Sequence, residues 1–258
     1  MKRRNRTTAP MAVTEAELST LTQDLDALHH DVGMPAMHAA LGRWTEEIRT
    51  SRRGFLIGAG AVVGGAVLAA CGTSSSTTTT TRGGSGPTGV KLTGDLAVAA
   101  LAASLENLAV SAYGDVLAAA GAGKLGTVPP AVATFVTTVK GQHAQHAQAW
   151  NSAIVAAGHA AVTGPDQALV PTVDSAFAKV TDVSGAAKLA LTLEDIAAAT
   201  YQSAVTALSA TSSVKVAASI QPVEMQHAAI LNFVLGRYPV PNAFSPLTGA
   251  RTLADYRG

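Results

Sequence analysis

Glu224-Met225-Gln226-His227 sets a carboxylate and an imidazole three residues apart. On a helix both leave adjacent turns on nearly the same side and reach one point. An E-x-x-H alone is common on helices, but here its surroundings repeat. Leu105-Glu106-Asn107-Leu108 is followed by Tyr113, and Leu193-Glu194-Asp195-Ile196 by Tyr201, each tyrosine seven residues after its glutamate. A second helical segment follows each copy, His143-Ala144-Gln145-His146 in the first and Glu224-Met225-Gln226-His227 in the second. Asn151 and Asn232 each stand five residues beyond the last histidine. The chain therefore duplicates a two-helix unit that sets polar residues into otherwise apolar helices. Carboxylates and imidazoles brought to one depth can coordinate divalent ions, and iron or manganese suits such mixed oxygen and nitrogen ligands.

Composition points to the same residues. Beyond Cys71 the only glutamates are Glu106, Glu194 and Glu224. Glutamate favours helices and ordinarily decorates their solvated faces. A helical segment that keeps all of its glutamates at motif positions is not using them as surface filler.

The set of motifs resembles the ferritin-like superfamily, whose four-helix bundles hold a di-iron or di-manganese centre. That pattern takes one Glu from each of two helices and a Glu-x-x-His from each of the other two. Glu106, His146, Glu194, Glu224 and His227 fall on five of its six positions, and His143 stands where the sixth expects Glu. The resemblance spans about residues 94 to 236 and extends to secreted, actinobacterial-looking ferritin-like lipoproteins. It implies an all-α, antiparallel four-helix bundle with a long crossover between helices two and three. It also implies a metal site that activates oxygen or peroxide or oxidises ferrous iron. His143 departs from the pattern, because an imidazole is one neutral donor and does not bridge two metals as a carboxylate does. Three carboxylates would then face the +4 of two divalent ions. A weak second metal, a single metal, or a metal-free Glu/His network all remain open. Gln142 and Gln145 lie close by, but an amide replaces a carboxylate poorly. Tyr113 and Tyr201 are expected as hydrogen-bond donors to the buried carboxylates rather than as radical sites.

The elements that must position these residues are legible in order. Helix one should start near Thr93-Gly94-Asp95, with Thr93 or Asp95 as cap, and run to about Ala120. Gly121, Gly123, Gly126 and Pro129-Pro130 make the turn into helix two, which ends near Ala157. Residues 158–181, with Gly164-Pro165 and Pro171, are long enough for the crossover. Helix three spans about 183–209 and helix four about 212–235, with Pro222 expected to bend the latter two residues before Glu224. The fold proper is thus expected over 93–237, with an extended tail over 238–258 packed across the bundle.

Ahead of the bundle lies a targeting segment. Ser51-Arg52-Arg53-Gly54-Phe55-Leu56 matches the twin-arginine export signal, with Arg52 and Arg53 as its pair. An apolar, glycine-broken run to Ala70 follows, and Leu68-Ala69-Ala70-Cys71 reads as a lipobox. Cys71 is the single cysteine, so it is read as a lipid attachment point rather than half of a disulfide. Residues 71–92, rich in Ser, Thr and Gly, form a tether. Leu18, Leu21, Leu25 and Leu28 mark a short amphipathic helix ending near His29-His30, within a cytoplasmic extension (1–50) expected to be lost with the signal (51–70). The paired histidines do not share a helix face, which argues against a metal role.

These features imply a protein anchored by lipid on the outer face of the cytoplasmic membrane. The twin-arginine translocase and the lipoprotein-processing machinery are its expected partners. A homo-oligomer is compatible with the sequence. The formal net charge of +1 offers no basic field for nucleic acid. Two functional classes remain: a ferritin-like oxidase or metal-handling protein, and a non-enzymatic helical envelope lipoprotein.

Overall fold

The computed structural model describes residues 13–62 and 92–256. Those residues contain no strand. The helices are α1 (Glu15–Leu28), a π-helical turn (His29–Gly33), α2 (Met34–Val62), α3 (Asp95–Gly121), α4 (Pro130–Ala156), α5 (Val170–Phe177), α6 (Val183–Ala207) and α7 (Thr211–Val234). The four helices read from the sequence are α3, α4, α6 and α7, with ends within two residues of expectation. The short α5 sits inside the crossover. Cys71 and most of the tether lie outside the described residues.

Topology follows from how the apolar residues divide. One core cluster contains Val98, Ala103, Trp150, Tyr201, Val216 and Ile220; a second contains Ala109, Tyr113, Val139, Leu191, Ala228 and Leu231. The candidate residues fall between the clusters on every helix: Glu106 between Ala103 and Ala109, His143 and His146 between Val139 and Ala149, Glu194 between Leu191 and Tyr201, and Glu224 and His227 between Ile220 and Ala228. A buried polar layer thus crosses the bundle at one depth. α3 and α7 pass from the first cluster to the second, whereas α4 and α6 pass the other way. Parallel α4 and α6 require the long connection, as expected of a ferritin-like bundle. α3 is apolar and long enough to span a membrane, but the run concerned is 72% buried within the bundle, as befits a central core helix.

The expected cap of α3 takes a different form. Gly94 occupies the cap position at φ 56°, a left-handed value that glycine adopts without a Cβ clash, and no side chain caps this end. Asp95 instead accepts from the backbone N–H groups of Ser209 and Ala210 at 2.8 and 2.9 Å, and from the Ser213 hydroxyl. It satisfies the N-terminal end of α7 rather than its own helix. α7 runs unbroken through Pro222. The tail docks on α6, where the Arg251 backbone N–H donates to Thr200 Oγ1 at 2.8 Å.

The N-terminal segment differs most from expectation. Instead of stopping at His29-His30, α1 continues through the π-helical turn into α2, whose backbone runs on past Ser51 to Val62. Leu18 and Leu25 join the second core cluster, and Met37, Ala40, Leu41 and Trp44 join the first. The segment is a fifth helical rod laid against α4 and α7. At its far end Arg52 Nη1 donates to the carbonyl of Ala156 at 3.3 Å.

Candidate metal centre

All six residues singled out by spacing meet in the polar layer, each at most 2% exposed. His143 lies at the middle of the group. Its Nδ1 is 2.7 Å from Glu106 Oε2 and its Nε2 is 3.2 Å from Glu194 Oε1, so one imidazole joins the glutamates of the two repeats. His146 turns Nδ1 toward Glu224 Oε1 at 3.0 Å and toward Glu106 Oε1 at 3.6 Å. His227 turns Nδ1 toward Glu194 Oε2 and Glu224 Oε2, both at 3.2 Å.

The tyrosines cross between repeats. Tyr113 of α3 donates to Glu194 of α6 at 2.5 Å, and Tyr201 of α6 donates to Glu106 of α3. Trp150 Nε1 in turn donates to the Tyr201 hydroxyl at 2.8 Å. Each tyrosine, two turns along from its own glutamate, reaches the one supplied by the other half.

The buried groups shift one another's ionisation. Burial works to raise the Glu106 carboxyl, but the charge on His146 and the hydrogen bond of His143 outweigh it and hold the group at about 2. Burial likewise opposes ionisation of Glu194, and the charges on His143 and His227 overcome it, leaving the carboxyl well below its usual range. Burial disfavours protonated His146, yet Glu106 and Glu224 raise it to about 9. His143 and His227 are also raised against the effect of burial, His143 chiefly by the charges of Glu224 and Glu194, His227 chiefly by Glu194. Burial and the neighbouring carboxylates push Tyr113 and Tyr201 up, so both remain hydrogen-bond donors. Three carboxylates and three imidazoles thus compensate one another in the absence of metal.

The donor set also fits a metal. Glu106, His143, His146 and Glu224 form one group, and His143, Glu194, Glu224 and His227 a second, each with its donor atoms within 4.8 Å of one another. Glu224 and His143 belong to both. His146 Nδ1 and Glu224 Oε1 are 3.0 Å apart yet misaligned for a hydrogen bond, and both are buried with no hydrogen bond made. Buried polar atoms left in this way are costly, and an ion ligated by both would satisfy them.

Three contacts around this cluster carried no clear signal in the sequence. Gln142 Oε1 accepts from His227 Nε2 at 2.7 Å, and Gln142 Nε2 donates to Asp26 Oδ1 at 3.3 Å. His29, 2% exposed, places Nε2 2.8 Å from Gln145 Oε1, its ring centroid 5.2 Å from that of His146. Burial and the charge on His146 push His29 down to about 4, so it is neutral. His30 points outward, as expected for adjacent helical residues. The available signal was the apolar stripe of α1, which resumes at Met37, Leu41, Trp44 and Ile48 beyond the break in period at the π turn.

On the opposite face, a cavity of about 230 Å³ lies between α3 and α6 and reaches Glu106 and His143. Leu101, Leu105, Leu193 and Ile196 give it apolar walls, and Arg251, Thr252 and Leu253 of the tail border it.

Four helices in antiparallel pairs with a duplicated Glu/His layer at one depth define a ferritin-like bundle. Residues 91–237 match the ferritin-like domain, and the chain belongs to that family. Comparison with curated proteins and with solved structures gives no significant match. The buried Glu/His cluster of this domain is compatible with metal binding.

Proposed function

We propose that this is a membrane-anchored, extracytoplasmic ferritin-like protein that binds iron or manganese and serves in oxidation or metal handling. Glu106, His143, His146, Glu194, Glu224 and His227 would hold the metal, His143 and Glu224 belonging to both groups of ligands. The observation that carries the metal reading is the convergence of these donors around two buried atoms that make no hydrogen bond, His146 Nδ1 and Glu224 Oε1. A bound iron or manganese ion would supply a redox-active Lewis acid. The chain's own residues contribute the rest. Tyr113 and Tyr201 orient the carboxylates, the two core clusters exclude bulk water from above and below, and the apolar cavity offers small molecules an approach at Glu106 and His143. The twin-arginine motif and lipobox support the location, since twin-arginine export is associated with proteins that leave the cytoplasm folded, often with a cofactor in place.

The compensation of three carboxylates by three imidazoles supports a second reading, a metal-free polar layer that fixes helix register in an envelope scaffold. Elemental analysis after anaerobic loading with ferrous or manganous ion separates the two. The native chain is expected to retain one ion or less, and His143→Glu to retain more, because the substitution restores a bridging carboxylate. Background metal in both proteins, with unchanged thermal stability, would leave only the metal-free reading.

A further inference from the structure

The N-terminal rod touches both histidine-bearing helices at the depth of the polar layer, and it does so where its own hydrogen bonding changes. The backbone N–H of Met34 donates to the His29 carbonyl, five residues back, so one extra residue is accommodated at this level. π-helical turns of this kind recur at functional sites. On one side of the turn His29 packs against Gln145 and His146 of α4. On the other, a Cβ at Gly33 would lie only 4.0 Å from Val223 of α7, the residue before Glu224. Asp26, on the turn preceding His29, reaches Gln142.

The contact at Asp26 has a directional consequence. A carboxylate only accepts, so the Gln142 amide must present its NH₂ to Asp26 and its oxygen to His227. That oxygen can only accept, so His227 must carry its proton on Nε2. Its Nδ1, which donates to Glu194 and Glu224 in the absence of metal, is then the nitrogen at which a metal would take the place of a proton. With the amide reversed, Gln142 would offer N–H to Nε2 and favour the tautomer whose Nδ1 bears hydrogen. A metal-bound histidine is commonly oriented in this way by the partner of its other nitrogen.

We infer that, in the uncleaved chain, Asp26 is a positioning residue for the metal centre, acting through Gln142 to hold the Nε2 proton of His227 so that Nδ1 is the ligand nitrogen, and that residues 15–50 contribute to the site until cleavage ahead of Cys71. The inference rests on the metal-binding reading and adds an outer wall to it from a segment before the export motif. Asp26 is half exposed and also lies 3.5 Å from His30 Nε2, so its substitution removes little packing. Cleavage ahead of Cys71 would remove this contact together with residues 1–70.

The test uses the full chain in detergent and titrates Mn²⁺ while free Mn²⁺ is followed by electron paramagnetic resonance. Asp26→Ala and Asp26→Asn are compared with the unaltered chain, and urea unfolding of each metal-free protein is measured alongside. Asp26→Ala is expected to weaken Mn²⁺ binding about tenfold with little change in the urea midpoint. Asp26→Asn, whose side-chain carbonyl still accepts from Gln142, should restore most of the affinity. Equal Mn²⁺ affinity in all three proteins would overturn the role of Asp26 and leave the metal site standing. Weakening by both variants in proportion to a loss of metal-free stability would reduce Asp26 to a structural residue. Absence of Mn²⁺ binding by the unaltered chain would overturn the metal reading and this inference together.

Discussion

Removing the hydroxyl from Tyr113 or Tyr201 is chemically the same change at related positions in the duplicated unit, yet the two sites should respond unequally. Glu194 Oε1 accepts from Tyr113 and also has His143 Nε2 at 3.2 Å, so Tyr113→Phe leaves that oxygen one partner. Glu106 Oε1 accepts from Tyr201, and its other neighbour, His146 Nδ1, stands at 3.6 Å, too far for a hydrogen bond. Tyr201→Phe also strands Trp150 Nε1, which donates to the Tyr201 hydroxyl in a fully buried setting. One hydrogen bond to a buried charge is worth about 1.5–3 kcal/mol, and an orphaned buried donor costs about 1–3 kcal/mol. Tyr113→Phe should therefore cost about 2 kcal/mol and Tyr201→Phe about 4 kcal/mol. Urea unfolding of the metal-free protein near pH 6 measures both, with unchanged m-values confirming that the comparison concerns stability. Losses equal to within about 0.5 kcal/mol, or a larger loss at Tyr113, would refute the assignment of partners.

Two further expectations follow from the charges and the leader. His146, raised to about 9 from 6.5, contributes stability that is complete below 6.5 and lost as pH climbs through 9. Glu106, lowered to about 2 from 4.5, contributes stability present above 4.5 and lost as pH falls through 2. The metal-free protein should therefore be most stable between about 4.5 and 6.5 and lose a few kcal/mol toward pH 9, while metal affinity rises over that alkaline interval as protons leave the imidazoles; a flat melting profile from pH 6 to pH 9 would contradict this. Cys71→Ser should release the protein from the membrane fraction or leave an uncleaved precursor. An intact mass for the native protein that retains Met1, or shows Cys71 without lipid, would count against anchoring.

The sequence by itself determined the four helices, their boundaries and the residues that share a depth. Helical periodicity is local, and two copies of one spacing, each helix carrying its polar residue between apolar runs, leave few ways to pack except with those residues level. The confinement of glutamate to Glu106, Glu194 and Glu224 strengthened that reading, because helix propensity would otherwise scatter glutamate over solvated faces. Tertiary structure alone decided who meets whom. Tyr113 reaches Glu194 and Tyr201 reaches Glu106 because α3 and α6 set their glutamates level, and each tyrosine, on its own glutamate's face, leans back toward its helix N-terminus and across to the other helix. His143, a weak substitute for a glutamate in the sequence, joins both repeats because its two nitrogens point in different directions. Asp95 serves α7 rather than its own helix for the same reason of proximity across sequence. The N-terminal rod was the least legible element. Its apolar stripe is interrupted by a π turn that shifts the helical phase, and the burial of His29 beside His146 depends on a docking surface that no local window of sequence contains.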